Sequence, residues 1–125
     1  MNEKLTKRLE SAVFEFGLSQ NICSPEEIQK HWERCTAEGK REISDISPLK
    51  VVSFLTGLGT ILKEDSKGKS YVTTVNVGLS EALLVTLIDG NELLFAACAH
   101  EGMIYQNIAS KAIACLEERI DRATN

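Results

Sequence analysis

ALLVTLIDGNELLFAACAH, residues 82–100, decides the fold, because it is the one long, nearly uncharged and strongly apolar stretch in a chain of 125 residues. Two short apolar runs, 83–88 and 92–98, flank Asp89-Gly90-Asn91. Asp-Gly is a strong signal for a tight β-hairpin turn, since the turn positions need positive φ. With Asp89 and Gly90 as the turn, Ile88 faces Asn91, Thr86 faces Leu93 and Leu84 faces Phe95. One face of the hairpin then carries Leu84, Ile88, Leu93 and Phe95, and the other Leu83, Val85, Leu87 and Leu94. A hairpin with one wet side alternates apolar and polar residues; this one is apolar on both sides. It must therefore be covered twice, by helices of its own chain or by a second subunit.

Working outward, 60–77 reads as a strand, a polar turn at 63–69 and a second strand whose Tyr71, Thr73, Val75 and Val77 share a face. A turn at 78–81 leads into the hairpin, so the four strands form an antiparallel meander. Beyond the hairpin, Ile104, Ile108, Ala112, Leu116 and Ile120 recur every four residues and predict a long amphipathic helix packed on the sheet, starting just after Glu101-Gly102.

Three helices are predicted ahead of the meander. The first is capped by Asn2, buries Leu5, Leu9, Val13 and Phe16, and stops at Gly17. The second opens on Ser24-Pro25-Glu26-Glu27, a Ser cap, a first-turn Pro and a Glu placed to reach back to the cap amide, and ends near Gly39. Its apolar stripe is thin: Ile28, Trp32 and Cys35. Residues 40–47 read as a polar loop. Ser47-Pro48 then starts a short third helix with Leu49, Val52 and Phe54 or Leu55 on its apolar face and Gly57 and Gly59 at its exit. The fold class expected is α+β, a single domain over 1–125: three amino-terminal helices, a four-stranded antiparallel β-meander and a long carboxy-terminal helix packed on the sheet.

Composition narrows the function classes. With 14 basic and 18 acidic residues the net charge is −4, which offers no general attraction to nucleic acid or anionic membrane. No apolar run approaches the roughly 18 residues of a membrane span, and the first 16 residues lack a signal-peptide core. The expected compartment is the cytoplasm. There the four cysteines, Cys23, Cys35, Cys98 and Cys115, read as small buried hydrophobes, with no C-x-x-C pair among them.

Four constellations carry candidate chemistry. His31 and Cys35 share a helix face and Cys98 and His100 a strand face, so together they could supply a tetrahedral zinc, although neither pair has a zinc spacing. Cys98 and His100, with Glu101 beside them, could be a nucleophile and base, but i, i+2 side chains on a strand lie about 7 Å apart. Gly57-Leu58-Gly59 ends a helix instead of following a strand, and lacks the third glycine of a dinucleotide loop. Three helices followed by the 60–77 hairpin also match the order of a winged helix, with Lys63, Lys67 and Lys69 on the wing and only Lys50 as a basic residue on the would-be recognition helix. The sequence thus assigns no catalytic, cofactor-binding or metal-binding residue and no cofactor.

The meander followed by a long helix is similar in outline to roadblock-type and profilin-type domains, small modules that bind other proteins. The likeness covers roughly the last half of the chain and rests on no motif; the first half departs, with three helices where those families place early strands. The expectation is a non-enzymatic protein-interaction or regulatory module, an adaptor or an immunity- or antitoxin-like neutralising protein, able to form a homodimer. A winged-helix nucleic-acid regulator is the alternative, and a metal- or thiol-dependent activity at Cys98 and His100 the second.

Overall fold

A computed structural model describes residues 1–65, 67 and 69–124. The fold is α+β. Chain order is α1 (Glu3–Ala12), a turn of π-helix (Val13–Gly17), α2 (Pro25–Lys30), α3 (Trp32–Cys35), β1 (Thr36–Glu42), α4 (Pro48–Leu55), β2 (Ile61–Asp65), β3 (Ser70–Val77), β4 (Ser80–Asp89), β5 (Glu92–Cys98) and α5 (Ile108–Thr124). The sheet has five strands in the order β1-β5-β4-β3-β2, all neighbours antiparallel. The last four form the expected meander. In the polar turn between β2 and β3, Ser66 and Gly68 lie outside the described residues.

The fifth strand corrects the expected helix and loop across 36–42, while 43–47 is the loop expected. The second helix breaks at His31, whose φ of −124° leaves the helical region, and after α3 the chain extends as β1 along the free edge of β5. The edge alternates Ala37, Gly39 and Arg41 toward one face with Glu38 and Lys40 toward the other. Ala37 packs into the apolar layer on the first face. Gly39 lies under the Phe95 ring. Arg41 reaches Glu117 Oε2 of α5 at 2.9 Å.

The β4–β5 turn is Gly90-Asn91, with Gly90 at φ +61°, and pairs Asp89 with Glu92, Ile88 with Leu93 and Thr86 with Phe95. The register is shifted by two residues from the Asp89-Gly90 expectation. Because side chains alternate with period two, a two-residue shift leaves every side chain on its expected face.

Both faces are covered by the chain itself. On one, Val51, Phe54 and Leu55 of α4 and Ile108, Ala112, Ile113, Leu116 and Ile120 of α5 bury Tyr71, Val75, Leu84, Ile88, Leu93, Phe95 and Ala97. On the other, Leu5, Leu9, Ala12 and Val13, followed by Ile28 and Cys35, bury Val72, Leu83, Val85, Leu87, Leu94, Ala96 and Cys98. Each large side chain so buried contributes about 1.5–3 kcal/mol. This cover requires no second subunit.

α4 does not lie on the face covered by α1. It packs beside α5 instead, where Arg119 Nε donates to Phe54 O at 2.7 Å and Nη2 to Ser53 O at 3.2 Å. Its inward stripe is Val51, Phe54 and Leu55, with Val52 half-buried, while Leu49 is 80% exposed. Pinned this way, with the 61–77 hairpin built into a five-stranded sheet, α4 and β2–β3 do not make the free recognition helix and wing of a winged-helix protein.

The caps follow the sequence. Asn2 Oδ1 accepts from Lys4 N and Leu5 N, Ser24 Oγ from Glu27 N, and Ser47 Oγ from Lys50 N. The start of α5 does not: it begins at Ile108, after Asn107 at φ +55°, and Ile104 is 78% exposed. Buried Glu101 fixes that start, its Oε1 accepting from Gln106 N at 3.0 Å and Ile108 N at 3.4 Å. A carboxylate there also meets the positive end of the helix dipole. Among the described residues no helix is long and apolar enough to cross a membrane.

Candidate functional site

Two features share the amino-terminal layer. The first is a groove of about 410 Å³ between α1 with its π-helical extension and the α2–α3 segment, lined by Glu10, Val13, Phe14, Pro25, Ile28, Gln29 and Trp32. Its geometry comes from the π-turn. The wider coil that succeeds α1 at Val13 keeps Val13 and Phe16 toward the core and leaves Phe14 81% exposed on the groove wall. Trp32, the only tryptophan, is half-buried across from it. A neighbouring hollow is lined by Glu10, Ser11, Phe14 and Glu15, with Glu15 Oε2 paired to Lys63 Nζ at 3.0 Å.

The second is a cavity of about 380 Å³ at the end of the same layer, lined by Gly17, Leu18, Asn21, Ile22, Cys23, Ser24, Glu27 and His100. The chain folds tightly here: Gly17 O accepts from both Ile22 N (2.8 Å) and Cys23 N (3.1 Å). A Cβ on Gly17 would lie 2.6 Å from Cys23 O, so only glycine lets the loop close against the π-turn. Glu27, expected to serve the α2 cap, contacts His100 Nδ1 with Oε1. That contact ties α2 to the chain just beyond β5.

Beneath the cavity lie three buried thiols. Cys23, Cys35 and Cys98 belong to one buried cluster and influence one another's ionisation. Cys98 lowers the Cys23 pKa against the opposing effects of burial and Glu27. Cys23, together with burial, pushes Cys98 well above the usual thiol value. Cys35 is also raised, chiefly by burial.

The sequence-derived constellations are only partly assembled. Cys98 is fully buried and faces the lower core, and the thiol that lines a cavity with His100 is Cys23. The carboxylate on His100 is Glu27, not Glu101, which is occupied at the start of α5. His31 sits exposed at the α2–α3 break, away from the sulfurs at the sheet. Among the described residues no group of three or more His, Cys, Asp or Glu side chains is arranged to hold a metal ion, so the four-ligand zinc arrangement is not formed. Sequence reading missed Phe14, Cys23 and Glu27 as site residues. A signal did exist for the first: Phe14 falls off the stripe of Leu5, Leu9, Val13 and Phe16.

No family model, curated protein or solved structure matches this chain.

Proposed function

We propose that this protein is a non-enzymatic interaction module that binds an apolar segment of another protein, flanked by basic residues, in the groove between Phe14 and Trp32. The observation that carries this reading is Phe14, an aromatic ring 81% exposed on the wall of a formed groove. Large aromatic side chains beside a groove are the usual anchors of protein interfaces, where truncating one costs about 2 kcal/mol or more. Glu10 supplies an acidic edge that favours basic flanks, in keeping with a net charge of −4.

The test is affinity capture from native lysate with wild-type protein, Phe14→Asp, and Leu49→Asp as an exposed control on the other face. A partner retained by wild type and by Leu49→Asp, weakened by at least about tenfold in Phe14→Asp, supports the groove. The isolated partner should also shift the emission of Trp32. Equal retention by Phe14→Asp, or retention of nucleic acid alone, refutes it.

A further inference from the structure

We propose that the segment held between Phe14 and Trp32 is proline-rich and is bound as a polyproline II helix with an arginine or lysine beside it, an inference that rests on the groove reading above and specifies its ligand. Two helical ridges build the groove. Val13 and Ile28, both buried, form its floor, while Phe14 and Trp32 with the Pro25 ring form its walls. Glu10 and Gln29 stand exposed at its edges.

Three properties select the backbone conformation of the ligand. The first is the kind of hydrogen-bonding group on offer. Among the described residues, neither the Trp32 indole N–H nor the Gln29 side-chain amide has a partner within the chain, so both are donors open to a ligand. A helical ligand spends its carbonyls internally. An added β-strand needs a main-chain edge, whereas these walls are side chains of α1, the π-turn and α2–α3. A polyproline II helix has no internal hydrogen bonds and leaves its carbonyls free for such donors. The second property is length: the mostly helical ridge from Pro25 to Trp32 rises roughly 10 Å, which three or four residues of polyproline II span at about 3.1 Å each. The third is that a groove of about 410 Å³ offers few anchors, and a ligand whose backbone is already ordered loses least on entering it. Glu10 then sets the charge. Among the described residues it makes no ion pair, unlike Glu15, so it is the carboxylate that meets a basic residue beside the prolines.

The probe is a synthetic hexaproline peptide with an arginine at each end, compared with the same peptide ended in glutamates and with an amphipathic helical peptide carrying the same arginines. Trp32 is the only tryptophan, so its emission reports occupancy directly. The arginine-ended proline peptide should shift that emission saturably and bind at least about tenfold more tightly than either comparison peptide. Phe14→Asp should weaken it by at least about tenfold. Glu10→Lys should reverse the preference between arginine and glutamate ends, and Gln29→Leu, which removes a donor and keeps an apolar stem, should weaken the proline peptide several-fold. All three side chains are exposed, so these variants leave the core intact. Tighter binding of the helical peptide, lost in Phe14→Asp, overturns the polyproline assignment and leaves the groove standing. Binding of the proline peptide that Phe14→Asp does not change overturns both. No saturable response to the proline peptide at millimolar concentration overturns the assignment alone, and partner capture then decides the groove.

Discussion

Replacing Gly39 by Ala adds one methyl group to an edge strand, yet it should unsettle the centre of the molecule. Gly39 is the cross-strand partner of Phe95, and a Cβ built on it would lie 2.6 Å from Cε2 and 3.1 Å from Cζ of that ring. The ring is fully buried, with Thr86 paired on its other side and the α4–α5 layer above, so it cannot swing clear. Overpacking of this kind costs about 1–3 kcal/mol. Ala in place of a strand Gly returns about 0.5–1 kcal/mol through the smaller entropy of the unfolded chain. The net expectation is a loss of about 0–2.5 kcal/mol. Phe95→Ala alone should cost about 3–5 kcal/mol, combining lost burial with a cavity at about 24 cal/mol per Å³. In that background the methyl group has room, and Gly39→Ala should become stabilising by about 0.5 kcal/mol or more. Urea unfolding of the two single variants and the double variant closes the cycle. If the effect of Gly39→Ala is the same within about 0.5 kcal/mol in both backgrounds, the contact and the β1–β5 register are wrong.

Alkaline pH should weaken the fold. Cys98, Cys35 and Tyr71 have raised pKa values, Cys98 through Cys23 and through burial, the other two chiefly through burial. The native state therefore keeps protons that the unfolded chain releases once pH passes the ordinary values of 9.0 for the thiols and 10.0 for Tyr71, and stability falls above them by up to about 1.4 kcal/mol per pH unit for each group. Cys23, lowered, opposes this only in part. A melting temperature that stays flat from about pH 8 to about pH 10.5 refutes it, and Cys98→Val should show a shallower decline. At the start of α5, Glu101→Ala should cost about 1–2 kcal/mol by stripping the acceptor from Gln106 N and Ile108 N, while Glu101→Gln, which retains it, should cost less. Equal losses in thermal melts of the two variants contradict the capping role. Since both sheet faces are covered within the chain, the melting temperature should not change with protein concentration; a rise with concentration points to an obligate dimer.

The central hairpin was legible because its two faces depend only on the parity of apolar positions, which survives a two-residue error in the turn. β1 was not. Its face toward α5 is Ala37, Gly39 and Arg41, a small residue, no side chain and a charge, and it carries no apolar alternation because Phe95 and α5 supply the bulk from across the sheet. The early start given to the last helix has a similar origin: Ile104 keeps the four-residue spacing of Ile108, but the backbone turns at Asn107 and Glu101 supplies the cap from six residues before it. Of the candidate site, the thiols were visible only as buried residues. Glu27 fits a capping box so well that its spatial partner, 73 residues away, leaves no local trace.

The place of β1 in the sheet also bears on how the chain fails. As the outermost strand it holds Glu38, Lys40, Arg41 and Glu42 along one rim, and β2 holds Lys63, Glu64 and Asp65, with a register irregularity, along the other. Charges and irregular pairing on outer strands discourage chain-to-chain addition. The strand just inside β1 is Glu92–Cys98, ELLFAAC, whose interior has the low charge and strong apolar character of aggregation-prone segments. β1 joins β5 across about fifty residues of chain, so it is the rim strand whose detachment needs no disruption of a hairpin. Amide exchange in Thr36–Glu42 should precede that in β4 and β5, and each such opening converts a guarded rim into a bare, adhesive one. Arg41, clasping Glu117 and Asp121 of α5, then acts as a latch against self-association, and Arg41→Ala should shorten the lag before aggregation on mild heating while leaving the folded sheet in place.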